Sequence, residues 1–198
     1  MITPDDEPDR VAALAAAALR GGADVLQLRH KLLSRGDLLI LARQLRALAS
    51  TSGALFIVND HLDLALLSDA DGVHLGLEDL SVAAARRVAG DGLLVGASAS
   101  TPSTAIAALE AGADYIGCGP AFATPLKPQK KVIGPAGVAQ VADAVGLGVP
   151  VFAIGGIDAS NIAQLTAAGV RRACVVRAVG SAPDPEAAAR RLHAMLEE

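Results

Sequence analysis

The sequence predicts a closed (β/α)8 barrel of the TIM type, formed as a single domain over residues 1–198. Three observations carry that expectation. Short β-like runs alternate with Ala-rich helical stretches along the chain, which implies βαβ units and a parallel sheet. Eight such units in 198 residues leave about 25 residues each, room for a strand of about 5, a helix of about 11 and two short loops. One αβ junction recurs, at Gly22-Ala23-Asp24, Ala111-Gly112-Ala113-Asp114 and Ala168-Gly169-Val170-Arg171. An open doubly wound sheet shares the βα signal and is the rival architecture.

A very short first strand is expected at Met1–Thr3. Seven more are expected at Val25–Arg29, Leu55–Asn59, Gly72–Leu75, Leu93–Ser98, Tyr115–Gly117, Val151–Ile154 and Ala173–Val176. Helices fit Pro8–Arg20, Arg35–Ser50, Leu62–Ser68, Val82–Val88, Pro102–Ala111, Pro135–Val145, Ile162–Ala168 and Pro185–Leu196. Ser34 with Asp37 has the spacing of a capping box. Thr101-Pro102 and Asp184-Pro185 each set a capping side chain before a proline at the first helical position. Ala111-Gly112 and Ala168-Gly169 read as glycine stops.

Composition excludes several function classes. Apolar residues make up 52% of the chain and aromatics 2%, so small aliphatic side chains must fill the core. The net charge is −4, with one Tyr, three Phe and no Trp. Nucleic-acid binding would need a basic face or stacking rings, and neither is present. The longest purely apolar run, Val11–Leu19, is too short to span a membrane. The acidic start (Asp5, Asp6, Glu7, Asp9) argues against a signal peptide, and a cytoplasmic location is expected. Cys118 and Cys174 match no metal spacing and read as small core residues in a reducing compartment.

In a barrel of this type the active site lies at the C-terminal ends of the strands. Along the second strand Gln27, Arg29 and Lys31 alternate with Leu26 and Leu28. With the leucines toward the helices, two cations and an amide reach the mouth as an anion grip, unless they form a solvated edge. The third strand ends at Asn59-Asp60, and the fourth is followed by Glu78-Asp79. Asp60 and Asp79 suit Mg²⁺ shared with a substrate phosphate, or equally helix N-caps. Ser98 offers a hydroxyl to a ligand or caps a turn. The long segment after Gly119-Pro120 carries Thr124 and its first cation, Lys127, which could meet a leaving phosphate; Lys130 and Lys131 read as solvated. Gly155-Gly156, before a helix expected near Ser160, suits a phosphate cradle with Arg177 and Ala178 after the last strand. Arg177 could donate to that phosphate or pair with an acidic neighbour. His30 falls on the helix-facing side and reads as packing or surface.

In this order the motifs resemble the thiamine-phosphate synthase family. The matching pieces are Gln27-Leu28-Arg29-His30-Lys31, Ile57-Val58-Asn59-Asp60, Gly72 through Asp79, Gly96-Ala97-Ser98, Ala113 through Pro120, Thr124-Pro125-Leu126-Lys127-Pro128 and Ala153 through Ile157. They cover nearly the whole chain, and the ordered set is far more specific than any one piece. The resemblance implies a Mg²⁺-assisted transferase that joins hydroxymethylpyrimidine diphosphate to a thiazole phosphate. It implies Asp60 and Asp79 as Mg²⁺ ligands, and Arg29, Lys31, Asn59 and Lys127 on the diphosphate. It also implies Gln27 at the pyrimidine, Ser98 between pyrimidine and diphosphate, and Thr124, Gly156 and the backbone around Arg177 on the thiazole phosphate. Arg29, Ser98 and Lys127 are then the residues closest to the chemistry. Partners are phosphorylated small molecules, with no nucleic acid and no membrane, and homo-oligomerisation is left open.

The chain departs from the family pattern at Leu77 (usually Gln), Ser100 (usually His), Leu126 (often Thr) and His30 (usually acidic). Two other functions compete. A related thiazole tautomerase typically lacks the paired Asp residues and uses a His at the position of Ser100, the opposite of this chain on both counts. A non-catalytic phosphate-ligand-binding barrel would tolerate the departures. Fold alone does not choose among the three.

Overall fold

A computed structural model of the chain describes residues 1–125 and 129–197. Seven parallel strands run β1 (Val25–Leu28), β2 (Leu55–Asn59), β3 (Gly72–Leu75), β4 (Leu94–Ala99), β5 (Tyr115–Cys118), β6 (Val151–Ile154) and β7 (Ala173–Cys174). They pair in sequence order, each with the next. The helices are α1 (Pro8–Arg20), α2 (Arg35–Ser52), α3 (Leu62–Leu67), α4 (Val82–Ala89), α5 (Pro102–Glu110), α6 (Gly134–Val145), α7 (Ile162–Ala167), α8 (Arg177–Gly180) and α9 (Pro185–Glu197).

The eighth place in the barrel belongs to residues 1–3. Ile2 N–H donates to Val175 O at 2.9 Å, while Gln27 N–H donates to Met1 O and Thr3 N–H to Gln27 O. This segment therefore joins the last strand to the first and closes the sheet, although only one parallel bridge, Ile2 to Gln27, has ladder geometry. The expected barrel is thus the observed one, with its first strand reduced to a bridge. Among the described residues no helix is long and apolar enough to cross a membrane.

Strand alternation sorts the side chains into two layers. Leu26, Leu28, Phe56, Val58, Val73, Leu75 and Val95 face out and pack with Leu38, Leu41, Leu45 and Leu64 of the helices. Ile116, Cys118, Val151 and Ala153 do the same against Val138, Val141, Ile162 and Leu165. Each large aliphatic side chain buried this way contributes about 1.5–3 kcal/mol. Cys118 is a buried core residue, as its sequence context suggested, and burial pushes its thiol up to about 11.

Local signals fixed the helix ends. Ser34 accepts from Asp37 N–H, and Thr101 and Thr104 complete a reciprocal capping box. Asp184 accepts from Ala187 N–H at 3.0 Å. Differences from expectation have visible causes. β1 stops at Leu28 and not Arg29, because the Arg29 N–H and C=O both bond the Thr3 hydroxyl at 2.9 Å instead of extending the ladder. β7 stops at Cys174 and not Val176, because the chain turns into the short, unexpected α8.

Candidate functional site

The rim at the C-terminal strand ends collects most of the sequence-derived candidates. Gln27 lies in β1 with only 7% of its surface exposed. Arg29 follows that strand, with its main chain held by Thr3 and its guanidinium donating to Asp5 at 2.9 Å. Asp5 also accepts from Lys31 N–H at 2.6 Å. Partial burial raises the Asp5 carboxyl, but the Lys31 N–H and the Arg29 guanidinium outweigh it and hold Asp5 below the usual carboxylate range. Thr3 and Asp5 were not singled out from sequence; only the residues that the fold brings beside them give them a role. His30 packs inward, with Leu32 and Leu33 N–H donating to Nδ1, so its proton sits on Nε2 and goes to Asp6 O at 2.8 Å. This is the packing role expected for it.

Asn59 ends β2, and Asp60 follows with φ 65°, a left-handed conformation uncommon for a non-glycine residue. That turn sends its carboxylate to the Lys31 ammonium, with which it forms a close ion pair. Asp79 lies after β3, where Oδ2 accepts from Gly76 N–H at 2.7 Å. The N-cap alternative fails for both residues, because the caps are His61 for α3 and Ser81 for α4. Instead the two carboxyl groups lie within hydrogen-bonding reach of each other. Burial raises Asp60, but the hydrogen bonds with Lys31 and Asp79 and the charges of Lys31 and His61 together outweigh it, and the net direction is down. Asp79 is pushed up, by partial burial and by the charge of Asp60. An open groove of about 520 Å³ leads away from the pair, lined by Arg35, His61, Leu62 and Leu80.

This donor set fits Mg²⁺. It offers carboxylate oxygens only, and two such groups leave positions for phosphate and water, the mixture Mg²⁺ prefers. Two mutually repelling carboxylates are also a reason for the site to accept a cation. Among the described residues no group of three or more His, Cys, Asp or Glu forms a cage for a softer metal.

Ser98 lies in β4, and its Oγ is 3.0 Å from His74 Nε2. His74 Nδ1 is in turn 3.3 Å from the Tyr115 hydroxyl. Neither ring was assigned a role from sequence. The available signal was that the single Tyr of the chain and His74 both fall on the inward face of their strands.

Across the mouth, Gly155 and Gly156 follow β6 with φ 101° and 63°. A Cβ on Gly156 would sit 2.4 Å from Ala123 O, so glycine lets residues 121–123 close onto the strand end. Ala121 and Phe122 N–H donate to Ile154 O and Gly155 O. This seats the segment leading to Thr124 beside the glycine pair. Lys127, with Leu126, lies outside the described residues. The helix after the glycine pair begins at Ile162, the start expected for it, and Ser160 lies in a separate turn in which Asp158 takes its N–H and Oγ–H. Arg177 and Ala178 open α8. The field of Arg177 reaches Asp158, whose carboxyl is held low mainly by Ser160. Ala178 lines a hollow of about 570 Å³ with Ser160, Asp158 and Arg191.

The chain is a closed parallel β/α barrel that gathers an acidic pair, a cation beside it and glycine turns opposite at the C-terminal rim, the face where barrels of this class carry their active sites. The comparisons narrow the class. The profile of the family described as thiamine monophosphate synthase matches residues 1–179, and the chain belongs to that family. It is 44% identical over 192 residues to a thiamine-phosphate synthase of Chlorobium luteolum, covering 96% of this chain and 90% of that one. A thiamine-phosphate synthase of Thermosynechococcus vestitus is 45% identical over 184 residues, and the match spans 93% of this chain but about half (52%) of that longer protein. Thiamine phosphate pyrophosphorylase from Pyrococcus furiosus superposes with a TM-score of 0.88 at 34% identity, covering 99% of this chain and 93% of that one. A 3-hexulose-6-phosphate synthase shares the fold alone, with a TM-score of 0.75 at 20% identity.

Proposed function

We propose that this chain is a thiamine-phosphate synthase, a transferase that joins hydroxymethylpyrimidine diphosphate to thiazole phosphate and releases diphosphate. The single observation that carries the reading is the contact of Asp60 with both Lys31 and Asp79 at the barrel rim, within a chain of the thiamine monophosphate synthase family. We read the chain as one domain working in the cytoplasm, on phosphorylated small molecules.

Asp60 and Asp79 hold Mg²⁺, which when bound supplies positive charge to the departing diphosphate. Arg29 and Lys31 add charge-assisted donors, and Asn59 adds its amide. In the free protein both cations already rest on carboxylates, Arg29 on Asp5 and Lys31 on Asp60. Diphosphate takes over the Lys31 ammonium, while Asp5 keeps the guanidinium aimed and leaves its other N–H groups for the ligand. Lys127 brings a further cation to the leaving group. Gln27, in β1, bonds the pyrimidine edge, and Ser98 reaches the bond between pyrimidine and diphosphate. The thiazole phosphate docks at Gly155, Gly156, Arg177 and Ala178, with Thr124 beside them.

No protein nucleophile is needed. Cleavage of the carbon–oxygen bond sends the electron pair to the diphosphate and leaves a resonance-stabilised pyrimidine cation. The thiazole nitrogen, held close by its phosphate handle, then closes the new carbon–nitrogen bond. The cations stabilise the negative charge that develops on the diphosphate as the bond breaks, where preorganised groups act most strongly, and the carboxylates contribute through the Mg²⁺ they would hold.

Calorimetric titration with the pyrimidine diphosphate tests the reading. Binding should require Mg²⁺ and be lost in Asp60→Asn and in Asp79→Asn. Binding that ignores both Mg²⁺ and the substitutions would overturn it.

A further inference from the structure

We infer that Tyr115 is a positioning residue for the reaction, acting through His74 to turn the Ser98 hydroxyl toward the substrate. The inference rests on the proposed contact of Ser98 with substrate and adds what aims that contact.

The barrel interior is built to bring these three side chains together. His74, Gly96 and Tyr115 occupy one register row across β3, β4 and β5. The middle residue has no side chain, so the two rings meet over it. A Cβ on Gly96 would lie 2.0 Å from Tyr115 Cζ and 2.4 Å from its hydroxyl, so the phenol fills that gap. The His74 ring likewise leans into the space left by Gly117, where a Cβ would lie 2.9 Å from Cε1. Ring centroids of His74 and Tyr115 are 5.6 Å apart, and Phe152 braces the far side of Tyr115 edge-on at 5.7 Å. Three rings thus meet across the interior of a chain with one Tyr, three Phe and no Trp. That is a concentrated use of scarce residues.

The hydrogen bonds have a direction. Burial keeps the Tyr115 phenol protonated, so it has an O–H to give. His74 Nδ1 stands 3.3 Å away, and we assign it as the acceptor of that O–H. In a neutral ring, accepting there would leave the proton on Nε2, which is 3.0 Å from Ser98 Oγ and placed to donate to it. With its oxygen accepting from the ring, Ser98 has its own O–H available for an oxygen of the bound ligand. The opposite tautomer would turn Ser98 into a donor to His74 and take that proton away from the substrate. Tyr115 sets which tautomer is present, as a partner on one imidazole nitrogen does generally.

A four-way comparison of wild type, Tyr115→Phe, Ser98→Ala and the double variant tests this. Tyr115→Phe removes only the hydroxyl. It should lower kcat about 5-fold, the worth of one hydrogen bond. KM for the thiazole phosphate, gripped across the mouth, should not change. In the Ser98→Ala background the same substitution should cost nothing further, because its effect passes through Ser98. A loss that persists at full size without Ser98 would overturn the inference while leaving the synthase reading intact. Full turnover by Ser98→Ala would overturn both the substrate role of Ser98 and the relay. Ring nitrogen spectra give a second readout that is independent of turnover and simple in a chain with four histidines. His74 should carry its proton on Nε2 in the wild type, with signal moving toward the Nδ1-protonated form in Tyr115→Phe. A wild-type His74 protonated on Nδ1 would refute the relay even if no product forms and the synthase reading itself has failed.

Discussion

Replacing Gly96 by Ala adds one methyl group and should cost far more than its size suggests. The new Cβ would lie 2.0 Å from Tyr115 Cζ and 2.4 Å from Cε1 and the hydroxyl. Ordinary carbon contacts are about 3.5–4.0 Å, so the ring must retreat by roughly 1.5 Å or more. It has nowhere to go without loss, since Phe152 stands edge-on at 5.7 Å and His74 holds the hydroxyl at 3.3 Å. Overpacking of this kind costs about 1–3 kcal/mol, and losing the Tyr115–His74 bond adds about 1 kcal/mol. A total near 2–4 kcal/mol should lower Tm by roughly 5–15 °C in a chain of this size. Gly148→Ala is the control, because its Cβ would meet nothing within 4 Å; it should change stability by no more than about 0.5 kcal/mol. Urea unfolding of both variants, repeated for Gly96→Ala in a Tyr115→Ala background, supplies the test. With the ring gone, the alanine should become harmless. If Gly96→Ala behaves like Gly148→Ala, or keeps its cost after the ring is removed, the packing argument is wrong.

Other expectations follow from the rim. On the proposed roles, Asp60→Ala and Asp79→Ala each remove a ligand of the Mg²⁺ and Lys127→Ala removes a cation proposed for the leaving diphosphate, so each should lower turnover by about 10²-fold or more; a residual rate near wild type would remove that residue from the site. Asp5 is held below the usual carboxylate range, so its contribution to stability is present above its unfolded pKa of about 3.9 and fades as pH falls through the folded value. Asp5→Asn should therefore lose at most about 1 kcal/mol at pH 7 and progressively less as pH falls below the unfolded value, read from urea midpoints along that range. Leu77 is 76% exposed and Ser100 is also exposed, so Leu77→Gln with Ser100→His should leave Tm within about 2 °C. The same pair, with Leu126→Thr, should raise turnover, and a flat or lower rate would mean that the site has adapted around these residues.

Strand and helix positions were readable because their signals are local. The alternation of Leu26 and Leu28 with Gln27 and Arg29 sorted one strand into two faces, and Thr101-Pro102 marked a helix start within its own few residues. The β7 end and α8 were not readable, since Val175 and Val176 continue an apolar run that gives no sign of the turn. At the rim, the sequence named Asp60 and Asp79 but left metal ligation and helix capping equally open. The left-handed turn at Asp60 and the mutual contact of the two carboxyls removed the capping alternative. Thr3 and Asp5 were invisible in their roles because each acts on a residue more than twenty positions away, Arg29 in both cases. The meeting of His74 and Tyr115 over Gly96 is a property of register across three strands. No window along the chain contains it.

The most direct test of the central claim is to incubate the protein with hydroxymethylpyrimidine diphosphate and thiazole phosphate, with and without Mg²⁺, and to measure thiamine phosphate. Product should form in Mg²⁺, disappear with EDTA, and fall about 10²-fold or more in Asp60→Ala and Asp79→Ala. No thiamine phosphate in Mg²⁺, from protein shown to be folded, would contradict the account.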